Sequence, residues 1–157
     1  MVGKFKRVYG PDCSRRAAEL GMTDHKIVTL ASIIEKETGV SEERPLISAV
    51  FHNRLKRGIP LCSDPTVIYG IAGFDGNLRK RDLEKMTPYN TYLKRGLPPG
   101  PIANPGRSSI LAALYPAPVP YLYFVSRNDG SHYFSNTLRE HNEAVWQYQQ
   151  GGRRASH

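Results

Sequence analysis

Two carboxylates stand where a helix should be apolar. The stretch Leu30-Ala31-Ser32-Ile33-Ile34-Glu35-Lys36-Glu37-Thr38-Gly39 reads as the C-terminal half of a helix. At ~100° per residue, Ile27, Val28, Leu30, Ala31, Ile33 and Ile34 cover most of its circumference. Only Thr29, Ser32 and Lys36 form a polar stripe. A helix apolar nearly all round is a buried one. Glu37 projects between Leu30 and Ile33, and Glu35 between Val28 and Ala31. Carboxylates are seldom buried unless paired or put to use.

The two are not equivalent. Gly39 is the natural stop of this helix, which predicts an end near Thr38. Glu37 then lies in the last turn, where free carbonyls carry partial negative charge. Apolar neighbours and a helix C-terminus both disfavour an ionised carboxylate. Glu37 should therefore stay protonated toward neutral pH, as a general acid requires. The alternative reading makes both glutamates structural ion-pair partners.

The elements that must hold these groups follow from the rest of the chain. Its 157 residues suit one domain with a real core, and 39% hydrophobic content excludes disorder. No apolar run approaches the ~18 residues of a membrane span, and no stretch reads as a signal peptide. A net charge of +8 favours a polyanionic partner: nucleic acid, anionic lipid or acidic wall polymer. Cys13 and Cys62 make no metal pattern and no disulfide framework, and their pairing stays open. The five histidines form no ligand spacing, so no metal and no cofactor are expected.

Residues 1–22 read as a basic segment with a short helix over Ser14 to Leu20. Thr23 is a good N-cap for the central helix. Ser41 can cap a second helix that Gly58 stops, with Leu46, Ile47, Val50 and Phe51 as its apolar stripe. Arg54 falls inside that stripe and needs a partner. The expected partner is Glu35 or Glu43; the alternative is direct contact with a ligand. Asp64-Pro65 reads as a helix start, with Asp64 as N-cap. Arg79-Lys80-Arg81 reads as a solvated basic run beside a short helix from Arg81 to Lys85.

The Pro- and Gly-rich stretch from Pro88 to Gly106 excludes a helix or central strand and reads as a long shaped loop. Within it Tyr89, Asn90 and Tyr92 offer stacking faces, a hydroxyl and an amide that suit sugars; the alternative is a rigid surface loop. A helix is expected from Ser108 to Leu114 and a hairpin from Tyr121–Ser126 and His132–Ser135. A capping box at Thr137-Leu138-Arg139-Glu140 opens a last helix. His132 is a candidate site residue or a plain surface histidine. Residues 23–150 form the predicted catalytic domain and 151–157 a loose tail. The fold class is α+β, mostly helical, with a small antiparallel sheet.

Several of these stretches together resemble one family. Leu30 to Thr38, Val50-Phe51-His52-Asn53-Arg54-Leu55 and Ser63-Asp64-Pro65-Thr66-Val67-Ile68-Tyr69-Gly70 are similar to signatures of the YceG-like endolytic murein transglycosylases (MltG). So are Tyr89-Asn90-Thr91-Tyr92, Gly96-Leu97-Pro98-Pro99-Gly100, Tyr121-Leu122-Tyr123-Phe124-Val125 and His141-Asn142. The matches keep the family's order over about Thr23 to Tyr148. The family's catalytic glutamate falls on Glu37, and Glu37-Thr38 is similar to the Glu-Ser pair of lysozyme-like lytic transglycosylases.

The resemblance implies cleavage of the MurNAc–GlcNAc bond of peptidoglycan without water, which limits the length of nascent glycan strands. Glu37 would protonate the leaving oxygen, then take the proton of the sugar's own 6-hydroxyl as a 1,6-anhydro ring closes. Thr38, Tyr89, Asn90 and Tyr92 are the candidates for holding sugar groups, with Glu35, Arg54 and Asp64 in support. The family's N-terminal membrane helix and LysM-like domain have no counterpart here. The expectation is therefore the catalytic part of a longer inner-membrane protein that faces the periplasm, with peptidoglycan synthases among its partners and no nucleic acid. A pyridoxal phosphate chemistry, which a lyase-like label in the family would suggest, finds no support in these residues.

Two other classes remain: a nucleic-acid-binding basic domain, and a non-catalytic peptidoglycan-binding module. The aromatics lack the basic-aromatic interleaving of known nucleic-acid motifs. The product expectation rests on elimination. Asp64 is assigned to a cap, Asp82 and Glu84 to a basic segment, Asp75 and Asp129 to turns, and Glu35 does not face Glu37 across the helix. No second carboxylate then stands out to activate water.

Overall fold

A computed structural model of the chain describes residues 9–150. The basic start at residues 1–8 and the tail at residues 151–157 lie outside the described residues. Helix α1 spans Pro11–Glu19, α2 Asp24–Glu37, α3 Arg44–Arg57, α4 Asp64–Tyr69, α5 Lys80–Leu83 and α6 Arg107–Leu114. Strands β1, Tyr123–Ser126, and β2, His132–Ser135, form one two-stranded antiparallel sheet. Helix α7, Leu138–Val145, runs on into a π-helical turn over Trp146–Gln150. The fold is α+β and mostly helical, as expected.

Helix α2 is the axis of the core. Every residue from Ile27 to Ile34 is buried. A fully buried Ile or Leu contributes about 1.5–3 kcal/mol, so this segment outweighs any single cap or ion pair. Helix α6 lies along α2, and α1, α3 and α4 pack around it. Ile47 and Phe51 of α3 and Ile110 and Leu114 of α6 fill the spaces between them.

The polar stripe of α2 does not meet water, except at Lys36. The Thr29 hydroxyl donates to the His25 carbonyl at 2.8 Å and the Ser32 hydroxyl to the Thr29 carbonyl at 2.6 Å. Ser32 also accepts from the Ile102 N–H at 3.0 Å, which fastens the Pro-rich loop to the helix.

The N-terminus of α2 is capped as expected: the Thr23 hydroxyl accepts from the Lys26 N–H at 3.1 Å. Its other end differs. The chain leaves the helix at Thr38, which is extended at φ −148 and ψ 145, and Gly39 is not left-handed. The stop comes from the Thr38 hydroxyl, which accepts from the Val40 N–H at 3.0 Å and offers the backbone a turn in place of another helical bond. A 3-10 turn, Ser41–Glu43, then leads into α3. Gly58 ends α3 in the left-handed region, at φ 69, where only glycine is unstrained.

The hairpin pairs Tyr123 with Ser135 and Ser126 with His132. Phe124 of β1 meets Phe51 edge-on at 5.8 Å, which docks the sheet on the helical core. The hydroxyl of Thr137 accepts from the Glu140 N–H at 3.1 Å to open α7. The Glu140 carboxylate reaches back to the Asn136 N–H at 3.3 Å, one residue before the position a full capping box requires.

Candidate active site

Glu37 is the last residue of α2, and its half-buried side chain enters a groove of about 600 Å³. Residues of the β-hairpin and α7 line it together with Arg54, Cys62, Asp64 and Tyr92. Among the described residues the carboxyl has one hydrogen-bond partner, the Ser63 hydroxyl, which donates to Oε2 at 2.8 Å. Burial pushes the Glu37 carboxyl up to about 7; the Ser63 bond opposes this and the charge of Asp64 adds to it. The direction expected from the apolar neighbours is therefore present.

Ser63 is held from behind by an interlocked set of hydroxyls. The Thr91 hydroxyl accepts from the Ser63 N–H at 2.9 Å. The Thr66 hydroxyl donates to the Ser63 carbonyl at 2.7 Å and lies 2.8 Å from that of Thr91. The Cys62 N–H donates to the Thr91 carbonyl at 3.2 Å. All three hydroxyl residues are buried, so the network fixes the one that touches Glu37. Sequence reasoning missed Ser63, Thr66 and Thr91 as site residues. Their signal was available: Ser63 and Thr66 flank Asp64-Pro65, and Thr91 lies inside Tyr89-Asn90-Thr91-Tyr92.

Asp64 is not the cap it was expected to be. Ser63 occupies the N-cap position of α4, and Asp64 is the first helical residue with its side chain exposed. The Asp64 carboxylate accepts from the Tyr92 hydroxyl, and both line the groove with Glu37. Burial, together with Asp64, pushes the Tyr92 hydroxyl far above the ordinary tyrosine range, so it remains a donor. A second carboxylate does face the groove, and the elimination that set Asp64 aside does not hold.

Arg54 also departs from expectation. It pairs with neither Glu35 nor Glu43. Its Nε donates to the Leu122 carbonyl and its Nη1 to the Pro60 carbonyl, each at 2.7 Å. The guanidinium lies 5.0 Å from the centre of the Tyr123 ring, and Tyr123 also stacks on His141 at 5.0 Å. The fork geometry of arginine matches two carbonyls on two different segments, so Arg54 knits Pro60 and Leu122 beneath the groove.

Glu35 faces away from the groove. Its Oε1 accepts from the Gly106 N–H at 3.0 Å and the Ser109 hydroxyl at 2.8 Å. That is the N-terminus of α6, where a carboxylate is favoured by the helix dipole. Glu35 is thus a structural anchor between α2 and α6.

The loop residues divide. Tyr92 reaches the groove. Asn90 does not: it is fully buried, its amide donates to the Leu83 and Lys85 carbonyls at 3.0 and 2.7 Å, and its oxygen accepts from the Tyr92 N–H at 2.9 Å. Buried and with both amide hydrogens spent on the loop, Asn90 offers no sugar contact, which corrects the expectation. Tyr89 packs on Tyr69 at 4.8 Å and against the core, outside the groove lining. Thr38 is buried, and its hydroxyl serves the turn and Glu43. Among the described residues no cluster of His, Cys, Asp and Glu could hold a metal ion, and no helix is long and apolar enough to cross a membrane. Cys13 and Cys62 are not bonded to each other.

The model of the YceG-like family matches residues 1–147. The chain is 48% identical over 124 residues to the endolytic murein transglycosylase of Bacillus subtilis (strain 168), a match that covers 79% of this chain and 34% of that protein. It is 33% identical over 130 residues to the endolytic murein transglycosylase of Streptococcus pneumoniae serotype 2 (strain D39), covering 79% of this chain and 24% of that protein. The chain therefore spans about a third or less of the length of these curated relatives. A crystal structure of a YceG-like protein from Listeria monocytogenes has a similar fold, with a TM-score of 0.76 and 44% sequence identity over 85% of this chain and 43% of that one.

Proposed function

The chain belongs to the YceG-like family, and from that premise we propose that it carries the catalytic centre of an endolytic murein transglycosylase acting on peptidoglycan glycan strands. The observation that carries this reading is the Glu37 carboxyl, which lines the groove beside Asp64 and is pushed up to about 7 by burial and by Asp64. A carboxyl that keeps a substantial protonated fraction near neutral pH is what a glycosidic leaving group needs.

In the proposed reaction Glu37 protonates the oxygen linking MurNAc to the next GlcNAc, and that bond breaks. The substrate's N-acetyl group and the Asp64 carboxylate stabilise the positive charge at the anomeric carbon. Glu37, now a carboxylate that retains the Ser63 hydrogen bond, removes the proton of the same sugar's 6-hydroxyl. The oxygen closes on the anomeric carbon to give 1,6-anhydro-MurNAc. Glu37 ends protonated, so the cycle is complete without water. The Tyr92 hydroxyl, which donates to the Asp64 carboxylate, stands at the edge of the same site.

In this reading the protein acts at the outer face of the cytoplasmic membrane. Cutting within strands near peptidoglycan synthases would limit glycan length. Mass spectrometry of purified sacculi incubated with the chain tests the reading. Large anhydro-ended fragments early in the digest are the expected result; disaccharide units released from strand ends from the outset would contradict internal cutting.

One observation favours a second reading. Asp64 and Glu37 face one groove, and two carboxyls flanking a glycosidic bond are the equipment of a hydrolase. In that reading Asp64 activates water or forms a glycosyl-enzyme, and the new ends are reducing MurNAc.

A further inference from the structure

The groove holds a second oriented polar group, built from residues the account of Glu37 does not use. His132 opens β2 and lines the same groove as Glu37. Its Nδ1 lies 2.7 Å from Oε1 of Glu43, and its backbone N–H donates to Oε2 of the same carboxylate at 2.7 Å. Glu43 is buried, and the His132 side chain is 11% exposed. Phe124 meets the imidazole edge-on at 5.4 Å, and Phe134 flanks it at 6.4 Å.

Each contact removes a freedom of the ring. A carboxylate oxygen can only accept, so Nδ1 must carry the proton. In the neutral ring Nε2 is then an acceptor. No described residue bonds Nε2, it is not among the sealed, unpartnered polar atoms of the interior, and His132 lines the groove. The dyad is also tied to Glu37 through the chain. Thr38, the next residue, lies with its hydroxyl 3.4 Å from the Glu43 oxygen that holds Nδ1. A surface histidine needs no buried carboxylate on two of its groups.

We propose that Nε2 of His132, oriented by the Glu43 carboxylate, is a substrate-contacting acceptor that takes a hydroxyl or amide hydrogen of the glycan beside the bond cleaved at Glu37. This deepens the transglycosylase reading and rests on it. Glu43 is the positioning residue: it touches no glycan and acts by holding the ring plane and tautomer.

The test separates contact from scaffold. In His132→Asn the amide nitrogen replaces Nδ1 and keeps the bond to Glu43, but nothing replaces Nε2. The expected result is a Tm near that of the parent and a kcat/KM on sacculi lower by about tenfold or more, the worth of a lost substrate hydrogen bond. His132→Phe should lose both stability and activity. A folded His132→Asn chain with parental kcat/KM, while Glu37→Gln is inactive, overturns this proposal and spares the function reading. An active Glu37→Gln chain overturns both. If His132→Asn does not fold, nitrogen-15 spectra of the Glu37→Gln chain decide: saturating GlcNAc–MurNAc oligosaccharide should move the Nε2 resonance of His132. An unmoved Nε2 resonance, with Tyr92 or Tyr123 signals shifted by the same glycan, overturns the proposal.

Discussion

The Ser63 hydroxyl donates to Oε2 of Glu37 at 2.8 Å, across 26 residues of sequence. This bond favours the ionised carboxylate, whereas burial and Asp64 favour the neutral acid. A group that must give a proton and then take one back gains from such opposed pulls, because neither state is far downhill.

The two neighbours should therefore move the pH profile in opposite senses. A general acid works protonated, so kcat/KM should fall as pH rises through about 7. Asp64→Asn removes a raising influence and should shift that alkaline limb to lower pH. Ser63→Ala removes a lowering one and should shift it to higher pH, by about half a unit to one unit for a bond of ordinary strength. Limbs that move in the same direction would contradict the electrostatics.

Glu37 should also leave a mark on stability. Its folded pKa is raised, so the stability linked to its neutral form is full below the unfolded value near 4.5 and is lost as pH rises through about 7. Glu37→Gln should thus be more stable than the parent at pH 8, on the order of 2 kcal/mol after allowing for partial exposure. Its turnover should vanish, since an amide cannot donate the proton. Urea unfolding at pH 5 and pH 8, with activity on sacculi, checks both.

Glu35 should behave as the other kind of carboxylate. Glu35→Ala leaves the Gly106 N–H and the Ser109 hydroxyl without this acceptor at the start of α6. The expected cost is about 1–3 kcal/mol of stability, with the folded fraction still active below its Tm. A stable and inactive Glu35→Ala chain would exchange the roles given to the two glutamates.

Arg54→Lys tests the knot beneath the groove. One ammonium cannot serve the Leu122 and Pro60 carbonyls in the geometry of the fork. Stability should fall by about 1–3 kcal/mol, with the hairpin the first element to gain amide exchange.

What could be read in advance follows from the range of each interaction. The burial of α2, the Thr23 cap, the Gly58 stop and the hairpin rest on patterns within a few residues, and the structure has them. Glu37 could be singled out because an apolar surround is written in the same helix. Asp64 was misassigned because Asp-Pro is a local signal for a cap, whereas its actual partner, Tyr92, is 28 residues away. The need of Arg54 for partners was legible, but they are backbone carbonyls, which carry no sequence signature. Asn90 has the side chain of a sugar ligand, and only the packed loop reveals that its amide is spent on Leu83 and Lys85.

Asp64 in the groove makes the identity of the reaction's nucleophile the central matter. The 6-hydroxyl is already attached to the reacting sugar, so its effective concentration is high. Intramolecular capture should outrun water even with a second carboxylate nearby. The direct measurement is digestion of sacculi in water enriched in heavy oxygen, with mass spectrometry of the new MurNAc ends. The account predicts 1,6-anhydro ends that carry no label. Labelled, reducing MurNAc ends as the main product would contradict it and assign Glu37 and Asp64 to a hydrolase.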